Sequence, residues 1–138
     1  ARYKGVGYCK RYSWTPAPHF WGYRFIQGTC ENGKINLWTA EATFGDMKYD
    51  YFKIIDENGK ISESAPTKSC HRQDGAYAVI ESYQVSASLI ECGNWSSILH
   101  SKEMDSLLRQ RCCKLSLKIG DKTIPGVAIN ETCFGTLG

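Results

Sequence analysis

Residues 21–40 read WGYRFIQGTCENGKINLWTA, and this stretch decides the fold class. From Trp21 to Phe25, aromatic side chains occupy every second position, which is the period of a β-strand. Asn32-Gly33 follows, and Asn-Gly favours a hairpin because a type I′ turn needs positive φ at both central positions. The alternation resumes from Ile35 to Thr39, so we expect residues 21–40 to form a β-hairpin.

The same alternation extends over most of the remaining chain. A β-rich segment at residues 49–55 ends in a second Asn-Gly turn, and further alternating runs cover residues 77–92 and 112–119. About seven or eight short strands with frequent turns are typical of an antiparallel sandwich or a small barrel. We therefore expect one mainly β domain over residues 1–138, an immunoglobulin/transthyretin-like β-sandwich or a small barrel, with one short helix.

The helix is expected at residues 94–111, where the apolar side chains do not follow a period of two. Ser101 is suited to cap this helix at its start. Arg109 and Arg111 in the last turn would complement the negative end of the helix dipole.

The composition indicates a folded domain and argues against two kinds of partner. Hydrophobic residues make up 42% of the chain and charged residues 22%, which are ordinary globular values. No apolar run approaches the roughly 18 residues of a membrane span, so we expect none. The net charge is only +3, and nucleic-acid-binding domains usually carry a stronger basic surplus, so nucleic acid is not the expected partner.

Cysteines are spread along the whole chain, which is typical of disulfides in an oxidising compartment. The seven are Cys9, Cys30, Cys70, Cys92, Cys112, Cys113 and Cys133. We expect three disulfides on which the fold depends, with a connectivity that the sequence leaves open. The odd cysteine would remain a thiol or join a second chain in a disulfide-linked dimer. Cys112 and Cys113 are adjacent, and adjacent side chains on a strand point to opposite faces, so each is expected to have its own partner.

Two sequons, Asn94-Trp95-Ser96 and Asn130-Glu131-Thr132, also indicate a secretory protein. Asn94 and Asn130 are therefore candidate glycosylation sites, and Asn94 is expected on an exposed turn. The polar and charged start at Ala1-Arg2 does not look like a signal peptide. We interpret the chain as a mature, secreted form whose leader has been removed.

Sequence motifs for catalysis and metal binding are missing. The chain has no G-x-S-x-G, no P-loop, no H-E-x-x-H and no C-x2-C pair of the kind that zinc modules use. We therefore assign no catalytic residue, no metal ligand and no cofactor. The best alternative is a small secreted hydrolase of the ribonuclease type. In it His19 or His71 would move protons together with a carboxylate such as Glu81 or Glu91.

The segment from Trp14 to Arg24 is the strongest candidate for a binding surface. Its candidate binding residues, next to two prolines, are Trp14, His19, Phe20, Trp21 and Arg24. Tryptophan and arginine are common anchors of binding interfaces, and proline reduces the entropy that a loop loses on binding. We expect Trp14 to be the exposed anchor and Trp21 to pack in a core strand.

Several short motifs recur in a known family. Residues 28–38 contain Gly-Thr-Cys-Glu-Asn-Gly-Lys followed by Asn-Leu-Trp, and residues 56–60 read Asp-Glu-Asn-Gly-Lys. Cys92, the Arg-Gln-Arg-Cys run at 109–112 and the Gly-Thr-Leu at 135–137 complete the set. Together these motifs resemble the nematode transthyretin-like family. The resemblance implies a secreted immunoglobulin-like sandwich that binds partners and is not an enzyme.

We therefore expect a secreted, extracellular binding protein of the virulence or effector type found in parasites and pathogens. It would act through a protein or small-molecule partner without catalysis. An exposed aromatic loop would favour this function, whereas a pocket that holds His19 or His71 beside a carboxylate would favour the hydrolase.

Overall fold

The computed structural model describes residues 1–2, 20–64, 66, 68–71, 77–82, 85–100 and 104–137 of the chain. These residues form β-strands and one short 3-10 turn at Glu31–Gly33. The strands are β1 (Phe20–Cys30), β2 (Ile35–Phe44), β3 (Met47–Ile55), β4 (Ile61–Ser64), β5 (Lys68–His71), β6 (Tyr77–Ser82), β7 (Val85–His100), β8 (Met104–Ile119) and β9 (Lys122–Leu137). The prediction of a mainly β chain is confirmed.

All nine strands belong to one antiparallel sheet with the order β4-β3-β2-β1-β9-β8-β7-β6-β5. Most neighbours in the sheet are also neighbours in the chain. The exception is β1, which pairs with β9 along its whole length, from Phe20 opposite Thr136 to Cys30 opposite Gly126. The first and last strands therefore meet at the centre of the sheet, which is the connectivity of an up-and-down barrel.

One face of the sheet, which we call the core face, carries a cluster of buried hydrophobic side chains. Leu37 on β2 and Ala87 on β7 both belong to this cluster, and both are fully buried. Within the described part of the chain, no helix and no second sheet covers the core face. A single sheet buries such residues by curling around them. The described strands therefore form one antiparallel sheet, and neither the two-sheet immunoglobulin/transthyretin-like sandwich nor a pairing of β4 with β5 that would close the predicted small barrel is seen among them.

The hairpin expected at residues 21–40 is present as β1 and β2, with Cys30 opposite Ile35 as the last pair. Its connection is a loop over residues 31–34, longer than a two-residue type I′ turn. Asn32 and Gly33 have φ values of 57° and 92°, so the Asn-Gly pair supplies the left-handed backbone that the sequence predicts. The loop is longer because the residue before this pair, Glu31, is also left-handed, with φ 49°.

The prediction of a helix at residues 94–111 is wrong, because strands β7 and β8 occupy this region. The two strands pair there, with Ile98 directly opposite Leu107. Trp95 and Ile98 lie on opposite faces of β7. The apolar residues therefore do not recur at every second position, although the backbone is extended. The residues that the structure describes contain no α-helix, and therefore none that could cross a membrane.

The predicted disulfides are not seen among the cysteines whose side chains are described. These five are thiols: Cys30, Cys92, Cys112, Cys113 and Cys133. Cys9 and the side chain of Cys70 lie outside the described residues. The disulfide framework, the odd cysteine and the disulfide-linked dimer therefore stay predictions.

Candidate functional site

The predicted binding segment is described only at its C-terminal end. Trp14 and His19 lie outside the described residues, and Phe20 and Trp21 begin β1 with side chains that are also outside the description. Arg24, two residues before the buried Ile26, lies on the core face of β1. Of the predicted binding residues, Arg24 is the one that the structure places in a candidate site.

Polar side chains replace the hydrophobic cluster toward one end of the core face. Residues directly opposite each other in an antiparallel sheet share a face, so the strand register defines a row across the sheet. From β3 through β2, β1, β9 and β8 to β7, this row is Asp50, Glu41, Arg24, Thr132, Arg109 and Ser96. We call this row the polar layer.

An ion pair holds Arg24 inside the polar layer. Its Nη1 lies 3.5 Å from Oε2 of Glu41, and both side chains are partly buried. Burial lowers the pKa of Arg24, Glu41 opposes this shift, and the positive charge of Arg111 adds to it. The effect of Arg111 indicates that the two guanidinium groups lie near each other across β9.

Arg111 lies in the next row toward the hydrophobic cluster and forms a second ion pair. Its Nε lies 3.5 Å from Oε2 of Glu91, and the Arg111 side chain is only 4% exposed. A guanidinium held away from water needs such a partner, because an isolated buried charge is very costly.

A β-bulge explains how Glu91 reaches the core face. The pairing of β7 with β8 shifts between Glu91 and Gly93, which leaves Cys92 as an extra residue. Residues three apart on a regular strand point to opposite faces, but the bulge turns both Glu91 and Asn94 toward the core face. The Nδ2 of Asn94 donates a hydrogen bond to Oε1 of Glu91, which fixes the orientation of this carboxylate.

Asn130 lies between the two ion pairs. It is directly opposite Ile26 on one side and Arg111 on the other, and it is 1% exposed. Neither its Oδ1 nor its Nδ2 has a hydrogen-bond partner. A buried amide without partners costs stability, and such a group is expected where an external molecule completes the hydrogen bonds.

Two depressions open onto these polar rows, one on each side of β9. The first has a volume of about 440 Å³ and is lined by residues that include Arg24, Glu41, Asp50 and Phe134. The second has a volume of about 680 Å³, and Glu91, Asn94, Ser96, Arg109 and Arg111 contribute to its lining. Both volumes fall within the usual range of small-molecule sites.

Three large apolar side chains border the polar layer on its outer side. Ile98, Leu107 and Phe134 are directly opposite one another on β7, β8 and β9, and each lies two residues from a member of the polar layer. Their exposed fractions are 58%, 42% and 50%. We call these three residues the apolar rim.

The sequence holds a signal for only part of this site. In the alternating run at residues 112–119, Cys113 and Leu115 share one face, and the same alternation continued backward reaches Arg111 and Arg109. The expectation of a helix at residues 94–111 hid this continuation. The sequence points to Asn130 only as a sequon residue and to Glu91 only as a candidate carboxylate of the hydrolase, because the position of Glu91 beside Arg111 depends on a bulge.

The other residues singled out from the sequence do not join the polar layer. His71 lies on β5 at the end of the sheet, and its side chain is outside the description. Asn94 is exposed but lies within strand β7 and not on the expected turn, whereas Asn130 is buried, and glycosylation of either residue stays a prediction. No group of three or more His, Cys, Asp or Glu residues able to hold a metal is found in the described part of the chain.

The fold is similar to that in the crystal structure of kievitone hydratase from Nectria haematococca, with a TM-score of 0.58 and 11% sequence identity. The match covers 83% of this chain and 39% of the hydratase chain, so this chain spans less than half the length of that protein. At this identity the likeness concerns the fold alone. No family model and no curated protein matches the sequence, so the resemblance to the nematode transthyretin-like family stays a prediction.

Proposed function

We propose that this chain is a small-molecule-binding protein whose ligand enters the polar layer through the apolar rim. The observation that carries this proposal is the amide of Asn130. It is almost completely buried, and neither of its polar atoms has a partner, although ion pairs lie on both sides of it. A ligand that accepts and donates hydrogen bonds would satisfy both polar atoms of this amide, and the amide would lose no further contact with water because it is already buried.

The surroundings of Asn130 support the same function. The ion pairs Arg24–Glu41 and Arg111–Glu91 hold charged groups in fixed positions, and fixed polar groups give a site its specificity. The apolar rim supplies contact area for the non-polar part of a ligand.

Secretion and binding without catalysis remain part of the proposal, as the sequence predicts. Seven cysteines and an exposed Asn94 in a sequon support a secreted chain. The protein partner anchored by Trp14 is a further prediction, because that residue lies outside the described part. The hydrolase alternative stays a prediction, because His19 and the side chain of His71 lie outside the described residues.

The proposal is tested by ligand-observed NMR with a library of small neutral, cationic and anionic fragments. The binding position is then mapped from amide shifts of the full chain. We expect shifts on the core face of β1, β8 and β9, and in the side-chain amide of Asn130. In the Asn130→Leu variant, affinity should fall about tenfold, which corresponds to the loss of about one good hydrogen bond.

The control is Asn58→Leu, which makes the same chemical change on an exposed turn away from the core face. This variant should bind the fragments like the unmodified chain. The proposal is wrong if no fragment shifts core-face amides, or if Asn130→Leu and Asn58→Leu bind equally well.

A further inference from the structure

Arg109 differs from the other two arginines of the site. Arg24 and Arg111 each have a carboxylate partner at 3.5 Å. Arg109 is partly buried in the polar layer, and its direct neighbours across the strands are the uncharged Thr132 and Ser96. Within the described residues, no hydrogen bond or ion pair joins Arg109 to another side chain.

Two carboxylates, Asp50 and Glu41, offset the two guanidinium groups of the polar layer as a whole, but no acidic residue lies directly opposite Arg109. In each of the ion pairs of Arg24 and Arg111, the carboxylate cancels the charge of the guanidinium. The guanidinium of Arg109 therefore remains a positive charge without an acidic residue directly opposite it. A positive charge of this kind in a partly buried position favours binding of an opposite charge, and a guanidinium matches a carboxylate by two parallel hydrogen bonds.

The apolar rim lies immediately beside this charge. Leu107 is two residues from Arg109 on the same face of β8, and Ile98 and Phe134 flank Leu107 on the neighbouring strands. On the opposite face of the same strands, Ser106 and Cys133 are buried. At this end of the sheet the buried side chains therefore lie on the opposite face, and the apolar rim is an exposed surface on the core-face side.

We infer that the ligand is an organic carboxylate with an apolar body, bound through its carboxylate to Arg109 and through its apolar body to Ile98, Leu107 and Phe134. This inference rests on the proposed function and specifies the class of ligand. The carboxylate supplies the charge that Arg109 lacks, and the apolar body covers three large side chains that are otherwise half-exposed to water. Gly22 accommodates the ring of Phe134, because a Cβ at this position would lie 2.6 Å from that ring.

The test compares octanoate with 1-octanol, two probes that share a chain length and differ in the charge of the head group. Affinities are measured by calorimetry, and the binding position is mapped by amide shifts. We expect the full chain to bind octanoate about tenfold to a hundredfold more tightly than 1-octanol, the range for a hydrogen bond to a charged group.

The variants separate the two parts of the site. Arg109→Met should remove the preference for octanoate and leave the affinity for 1-octanol unchanged. Phe134→Ser should weaken the binding of both probes. The matched control is Lys114→Met, which removes one positive charge from an exposed position on the opposite face of β8 and should keep the preference.

A folding defect is distinguished from a binding defect by a second variant and by thermal melting. Arg109→Met removes a charge that has no described partner, so its melting temperature should not fall. Arg109→Lys keeps the charge without the planar fork and should retain part of the preference for octanoate.

Equal affinities for octanoate and 1-octanol on the core face would overturn the carboxylate inference, while the proposed function would stand. A preference for octanoate that survives Arg109→Met would also overturn it. If neither probe and no fragment of the library shifts core-face amides, the proposed function fails, and this inference fails with it.

Discussion

Two adjacent buried polar residues of β9 differ in their hydrogen bonding. Glu131 is 5% exposed, and its carboxylate accepts hydrogen bonds from the Tyr23 hydroxyl at 2.8 Å and from Nε2 of Gln110 at 2.6 Å. Asn130 is buried to the same degree on the core face, and its amide has no partner. The partners of Glu131 stabilise the fold, whereas the amide of Asn130 costs stability, as expected of a group kept for binding.

Asn130→Leu should therefore raise the stability of the ligand-free protein. Leucine has a similar size, and replacing an unpartnered buried amide with it removes a desolvation cost of about 1–3 kcal/mol. Urea unfolding of the chain and of the variant measures this difference. A variant less stable than the unmodified chain would show that the amide is hydrogen-bonded in the folded state.

Cys113 gives a second prediction at the scale of the residue. Burial, together with the nearby Cys92, Glu91 and Cys112, raises the pKa of the Cys113 thiol from 9.0 to about 11 against the opposing charge of Arg111. Between these pH values the unfolded chain releases a proton that the folded chain retains, so stability falls as the pH rises. Below pH 9 both states keep the proton and the contribution is fully present.

The expected loss from this thiol is about 2–3 kcal/mol between pH 9 and pH 11. Urea unfolding across this range measures the loss, with Cys113→Ala as the control for all other titrating groups. Between pH 9 and pH 11, Cys113→Ala should lose about 2–3 kcal/mol less stability than the unmodified chain. Parallel curves for the two proteins would show that Cys113 is not protonated differently in the folded and unfolded states.

At the scale of the element, close approach of β1 and β9 depends on glycine. A Cβ added at Gly126 would overlap the carbonyl oxygen of Thr29 and would lie 2.6 Å from Sγ of Cys30. The carbonyl belongs to the backbone of β1, so it cannot move without disturbing the pairing of the two strands. Glycine is required here because the strands leave no space for a side chain.

Gly126→Ala should destabilise the protein by about 1–3 kcal/mol, the usual range for overpacking. Thermal or urea unfolding measures the change. The matched control is Gly93→Ala on β7, where an added Cβ meets nothing within 4 Å. The control should be neutral or slightly stabilising, by up to about 1 kcal/mol. Equal effects at both positions would contradict the close approach of β1 and β9.

At the scale of the whole molecule, β9 joins the two halves of the sheet. It is paired with β1 on one side and with β8 on the other, so its loss would leave two unpaired edges in the centre of the sheet. It also contributes Ile124 and Ala128 to the hydrophobic cluster. The cooperativity of the fold should therefore depend on this last strand.

A chain that ends at Gly120 should lack a cooperative unfolding transition, as measured by circular dichroism during heating. The control is a chain without Ala1 and Arg2, which are exposed and outside any strand, and it should melt like the full chain. If the chain without β9 still melts cooperatively, the two halves of the sheet fold independently.

The sequence predicts the strands well where one face is apolar and the other polar. The hairpin of β1 and β2 and the alternation of β8 after Cys112 are recognisable because the period of two is undisturbed there. The expectation of a helix at residues 94–111 failed where Trp95 and Ile98 place apolar groups on both faces of β7. Of the candidate site, the sequence selected Arg24 alone as a binding residue, among aromatic neighbours and without its partner Glu41.

The sequence by itself determined the β class, the turn at Asn32-Gly33 and the face on which each regular strand carries its apolar residues. These properties are local, because they depend on φ preferences and on alternation within a few residues. Only the tertiary structure decided that β1 pairs with β9, which brings Arg24 and Arg111 together with Asn130 across about a hundred residues of chain. It also decided the bulge at Cys92, which turns Glu91 toward Arg111. The strand order and the register depend on how the whole sheet packs around its core, and no local pattern of residues encodes that packing.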